Sequence, residues 1–141
     1  MDDVVLAKVA VIERCIGRIR EEHGGDDAHL TDDLRRQDSI ILNLQRACKA
    51  SIDLAMHLVR RKRLGIPQDS REAFDMLVGA KALDLGLAES LKQMVGFRNV
   101  AVHDYTRLNL DIVRSIITRQ LADLETFAAE CLRRYAEIRE P

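Results

Sequence analysis

Apolar residues return along this chain at spacings of three and four, the period of a helix with one buried face. Val4, Val5, Val9, Ile12, Ile16 and Ile19 form the first such stripe, and Glu13, Arg14, Arg18, Arg20, Glu21 and Glu22 fill the polar positions between them. The pattern stops at Gly24-Gly25, where glycine loses the most backbone freedom by staying helical. A second helix is predicted from Thr31-Asp32-Asp33, a source of N-cap and first-turn acid, as far as Gly65-Ile66-Pro67. Leu34, Ile41, Leu44, Cys48, Ile52, Ala55 and Val59 mark one face, while Ile40, Leu42, Leu54, Met56 and Leu58 spread onto others. A helix apolar over so wide an arc packs on more than one side, within the protomer or against a second copy.

That helix closes in Arg60-Arg61-Lys62-Arg63. The run suits the negative end of the helix dipole and is equally a candidate contact for RNA phosphates or a protein partner. A short third helix follows, capped by Asp69 or Ser70, with Phe74, Leu77 and Val78 inward. A fourth starts at Asp84 or Gly86 and carries Leu87, Leu91, Met94, Val95, Val100 and Val102. After a break over residues 106–109, Val113, Ile116, Ile117, Leu121, Leu124, Phe127, Cys131, Leu132, Tyr135 and Ile138 set the register of the last. The expected fold is all-α: a single domain over residues 1–141, about five helices, two of them long and antiparallel.

Composition supports this. With 47% hydrophobic residues the chain can build a core, and 141 residues suit one domain. Aromatics are 4%, with no Trp, 2 Pro and 7 Gly, so aliphatic helix packing is favoured over a β-sandwich. The net charge of −1 excludes a globally basic nucleic-acid binder, although a local basic cleft remains compatible with it. Cys15, Cys48 and Cys131 are odd in number and far apart, which predicts neither a disulfide framework nor a zinc site. His23, Asp26, Asp27 and His29 lie beside two glycines and read as a solvated connector rather than a metal site. The acidic start and the lack of a long apolar run predict a soluble, cytoplasmic chain with no membrane contact.

The chemistry concentrates in Arg98-Asn99-Val100-Ala101-Val102-His103-Asp104-Tyr105. Arginine binds phosphate as a permanently charged planar fork. Histidine moves protons near neutral pH. Together they suffice to cut RNA through the ribose 2′-hydroxyl with no metal or cofactor. His103 would serve as general acid or base, and Arg98 would hold the scissile phosphate. Asn99 would orient the histidine or bond the phosphate, and Tyr105 would stack on a base or position a phosphate. On an ideal helix the five steps from Arg98 to His103 turn about 140°, so the two do not share a face. Either the helix ends before His103, or the two serve different surfaces, or a symmetric dimer completes one cleft from two chains. Asp38 and Asn43 on the second helix either support that cleft or reach solvent, and Asp53 and His57 have the spacing of an i, i+4 hydrogen-bonded pair.

The eight-residue stretch matches, without a gap, the R-N-x-x-x-H-x-Y signature of HEPN domains, and the chain resembles the HepT-like toxins of HEPN/MNT toxin–antitoxin pairs. Asp38 to Ala47 and Asp53 to His57 are similar to the family's long helix, and helix order and length fit throughout. The resemblance implies a helical homodimer acting as a metal-independent endoribonuclease, with Arg98 and His103 as catalytic residues. It implies an RNA substrate and a minimal nucleotidyltransferase (MNT) antitoxin that silences the toxin by binding, by transferring AMP to Tyr105, or both. A second reading of the same residues is a non-catalytic helical adaptor for a nucleotidyltransferase or nucleotide.

Overall fold

A computed structural model describes residues 1–137 of the chain, so Ile138 lies outside the described residues. Two long helices, α1 (Asp3–His23) and α3 (Leu34–Arg61), form the spine. They run antiparallel: Asp2 meets His57 and Arg61, Lys8 meets Asp53, and Arg36 donates to the carbonyl of Glu22. A one-turn helix, α2 (Ala28–Thr31), lies in the connector between them. Then come α4 (Ser70–Gly79), α5 (Leu85–His103), α6 (Leu110–Ser115) and α7 (Leu121–Tyr135).

Short acceptor side chains start these helices by satisfying otherwise orphaned N–H groups. Asp2, Asp33, Asp69, Asp84 and Asn109 each accept a backbone N–H from the first turn of α1, α3, α4, α5 and α6. A π turn over Ile116–Gln120 joins α6 to α7 in one rod. Its extra residue lets Ile116 and Leu121, five apart, both face the core. With α6 and α7 taken as one rod, the predicted set of about five main helices is present.

The core is aliphatic, with Phe74 and Phe127 meeting edge to face at 6.0 Å. Five assignments from periodicity are corrected, among them Val102 and Leu132, which are 46% and 38% exposed. Leu34 is 72% exposed, because α3 starts there and its first turn overhangs the bundle. Val4 and Val100 are also exposed. Each neighbours a buried residue, Val5 or Ala101, that takes the inward position instead.

The connector histidines pin the α1–α3 turn: His23 Nε2 meets Asp27 Oδ1 at 2.8 Å and His29 Nδ1 meets the His23 carbonyl at 2.8 Å. The expected Asp53–His57 pair does not form. His57 Nε2 meets Asp2 Oδ2 at 2.7 Å, while Asp53 accepts from Lys8 and Lys49. The start of α1 docks over the end of α3, and the buried Asp2 carboxylate requires partners there. Arg61 also donates to Asp2 at 3.0 Å and to the Tyr135 carbonyl at 2.6 Å. Arg61, Lys62 and Arg134 all lie within 6 Å of the Tyr135 ring centroid, at 5.6, 5.5 and 5.3 Å. Part of the basic run therefore closes the bundle.

Candidate active site

Helix α5 continues through His103, and only then does Asp104 cap it, its N–H bonded to the Val100 carbonyl at 2.8 Å. The first of the three geometric options is thereby removed. No turn folds the histidine back, so Arg98 and His103 stay five residues apart on one unbroken helix, about 140° apart around its axis. Tyr105 opens a 3-10 turn, Tyr105–Arg107, immediately afterwards.

Arg98 is half-buried and points into the groove between α1 and α3. It lines a cavity of about 390 Å³ there with Lys8, Arg14, Gln45, Arg46 and Lys49. Its Nε is sealed from solvent and makes no hydrogen bond. Its charge reaches Cys48, whose thiol burial pushes up to about 12 against the opposing pull of the guanidinium. No described carboxylate forms an ion pair with Arg98. A partly desolvated guanidinium without a counter-anion is a ready acceptor of a ligand's negative charge.

His103 is exposed at the end of α5 and holds no hydrogen bond among the described residues. Asn99, Val100 and Val102 are exposed as well, and only Ala101 turns inward. The last turn of α5 thus projects from the bundle, tied to α3 through Gln45 Nε2, which donates to the Ala101 carbonyl at 3.5 Å.

Tyr105 reaches back to α3. Its hydroxyl donates to Asp38 Oδ1 at 2.8 Å. Burial, the Asp38 hydrogen bond and the Asp38 charge all disfavour the phenolate, and the Tyr105 pKa is pushed up to about 12. Asp38 in turn lines a second cavity of about 400 Å³ with Arg14, Arg18, Ser39, Leu42, Asn43 and Arg46. Asn43 donates to the Ser39 carbonyl at 2.8 Å.

The two cavities share Arg14, Leu42 and Arg46. They form one basic groove between α1 and α3, running from Arg98 to the Asp38–Tyr105 pair. The sequence reading singled out Arg98, Asp38, Asn43 and Tyr105 but passed over Arg14, Arg18 and Arg46. The available signal was the i, i+4 spacing of Arg14 and Arg18 on the polar face of α1. His103 is not among the residues lining the groove. Among the described residues, no group of three or more His, Cys, Asp or Glu could hold a metal ion, and no helix is long and apolar enough to cross a membrane.

A family model described as "Ribonuclease HepT-like" matches residues 12–131. The chain belongs to the HepT-like ribonuclease family. It is 48% identical over 127 residues to the mRNA nuclease HepT of Shewanella oneidensis, covering 90% of this chain and 95% of that protein. Its fold is similar to the tri-AMPylated Shewanella oneidensis HEPN toxin solved in complex with MNT antitoxin. The TM-score is 0.88 at 46% identity, over 94% of this chain and 99% of that one. A crystal structure of a toxin–antitoxin with AMP-PNP superposes with a TM-score of 0.85 at 46% identity, over 92% of this chain and 98% of the other. The all-α architecture read from the sequence is the architecture of these HEPN toxins.

Proposed function

We propose that this HepT-like chain is the toxin of a HEPN/MNT pair: a metal-independent endoribonuclease that acts on RNA in the cytoplasm as a symmetric homodimer. The observation that carries the reading is Arg98, a half-buried cation with no counter-anion among the described residues, on the helix whose projecting end presents an exposed His103. Among the described residues, neither is held by a hydrogen bond or an ion pair.

In the proposed reaction His103 removes the proton from a ribose 2′-hydroxyl. The 2′-oxygen attacks the adjacent phosphorus, and the bond to the 5′-oxygen breaks. A proton returned to that oxygen leaves a 2′,3′-cyclic phosphate and a 5′-hydroxyl end. Arg98 bonds the non-bridging oxygens as charge gathers on the pentavalent phosphorus. Asn99, between the two in sequence, supplies an amide to the phosphate or to His103. Because Arg98 and His103 diverge on one helix, the cleft is completed across a two-fold axis at the projecting ends of α5. Val100, 41% exposed, and Val102, 46% exposed, supply apolar surface for that contact.

Silencing follows the same geometry. A cognate MNT nucleotidyltransferase binds the toxin and transfers AMP from ATP to the Tyr105 oxygen: the O–P bond forms as the α–β phosphoanhydride breaks, and pyrophosphate and the phenolic proton leave. This places a bulky phosphodiester anion at the end of the basic groove, where substrate phosphate would lie. The family membership, the AMPylated relative and the exposed position of Tyr105 support this reading. Inducible expression in cells tests it: wild type arrests growth, while Arg98→Ala and His103→Ala do not. Equal harmlessness of all three would leave the adaptor reading in its place.

A further inference from the structure

The arginines of the α1–α3 groove have no task in the chemistry just described. Arg14 and Arg18 stand one turn apart on α1, and Arg46 faces them from α3 around a cavity of about 400 Å³. None of the three forms an ion pair with a described carboxylate. Lys8 and Lys49 continue the positive wall toward Arg98, and they share the one carboxylate of Asp53. Asp38, the carboxylate that lines this cavity, accepts from Tyr105 and from none of the three arginines. Cations outnumber it and repel one another, so the arrangement gains when a polyanion enters. A second copy seated with its two-fold axis on this face would set the arginine patch against its own image and is a poor occupant.

The dimensions select the kind of polyanion. The ten helical steps from Lys8 to Arg18 span about 15 Å, long enough for about two or three nucleotides. Neighbouring helix axes lie roughly 8–10 Å apart, too close for a duplex to settle between them. Leu42, 44% exposed, gives the groove an apolar patch against which a base can pack. The Tyr105 hydroxyl reaches Asp38 at its far end. Arg98 stands at the other.

We propose that this groove is a track for single-stranded RNA beside the scissile phosphate, with Arg14, Arg18 and Arg46 contacting successive backbone phosphates. The track makes few demands on base identity, because phosphate contacts carry no sequence information. It rests on the ribonuclease reading above and extends the site from one phosphate to a strand.

The test compares wild-type protein with an Arg14→Gln/Arg18→Gln double variant and with Arg46→Gln, each checked for an unchanged helical melting transition. Cleavage is measured on a single-stranded 20-mer and on a dinucleotide, and binding on a 20-mer made uncleavable by 2′-deoxy substitution. The double variant should lose at least tenfold more kcat/KM on the 20-mer than on the dinucleotide. The slope of log affinity against log salt should shrink by about 0.7 for each phosphate contact removed. Equal losses on both substrates, or an unchanged salt slope, would overturn the track. Failure of the wild type to cut either RNA would instead overturn the ribonuclease reading, and the salt slope of the uncleavable 20-mer would still decide the track.

Discussion

Tyr105 donates a 2.8 Å hydrogen bond to Asp38 across 67 positions of sequence, so the last residue of the motif is fastened to the rim of the arginine groove. Burial, the bond and the Asp38 charge together hold the phenolic proton, with a pKa of about 12. Replacing Asp38 by Asn removes the charge and should move the Tyr105 pKa down toward the ordinary tyrosine value of about 10. An NMR titration of ring-labelled tyrosine reads this directly. A Tyr105 pKa that does not move would mean that burial alone sets it.

The same bond bears on silencing. A phosphodiester on Tyr105 removes the hydrogen that Asp38 accepts and sets two anions side by side. The modified ring is therefore expected to leave Asp38 and turn toward Arg14, Arg18 and Arg46. Incubation with the MNT partner and ATP should add AMP mass to wild type and none to Tyr105→Phe. Added mass that persists in Tyr105→Phe would place the modification elsewhere.

Asp2 is the structural hinge of the bundle's closed end. It is 5% exposed, caps α1, and receives His57 and Arg61. Burial alone would raise its pKa. The His57 bond, the Val5 N–H and the charges of His57 and Arg61 outweigh that and leave it below the usual carboxylate range. A depressed folded pKa means that the contribution is present above the unfolded value of about 4 and is lost as pH falls through the folded one. Asp2→Ala should cost about 2–3 kcal/mol at neutral pH, from a lost cap and a broken buried pair. Urea unfolding at pH 7 and pH 3 should show the difference between variant and wild type narrowing in acid.

Most of the fold was legible because helix period and caps are local properties. Asp33, Asp69 and Asp84 acted as their types predict. What escaped was set by tertiary contact. His57 chose Asp2 over its helical neighbour Asp53, since docking of α1 brought a buried carboxylate within reach. The π turn at Ile116–Gln120 is invisible to a fixed period of 3.6. The motif residues were legible as chemistry, yet the groove they join is built from Arg14, Arg18 and Arg46, which in sequence are ordinary polar positions.

The exposed end of α5 makes dimerisation testable apart from catalysis. Val100→Asp/Val102→Asp should give a monomer by light scattering at concentrations where wild type is a dimer, and RNA cleavage should fall with dimer content. A fully active monomer would show that one chain completes the site.

The most direct measurement is RNA cleavage by purified protein in EDTA. Wild type should cut single-stranded RNA to 2′,3′-cyclic phosphate ends, and His103→Ala and Arg98→Ala should each lose about a hundredfold or more. Full cleavage by either variant, or cleavage abolished by EDTA, would contradict the assignment of Arg98 and His103 as a metal-independent catalytic pair.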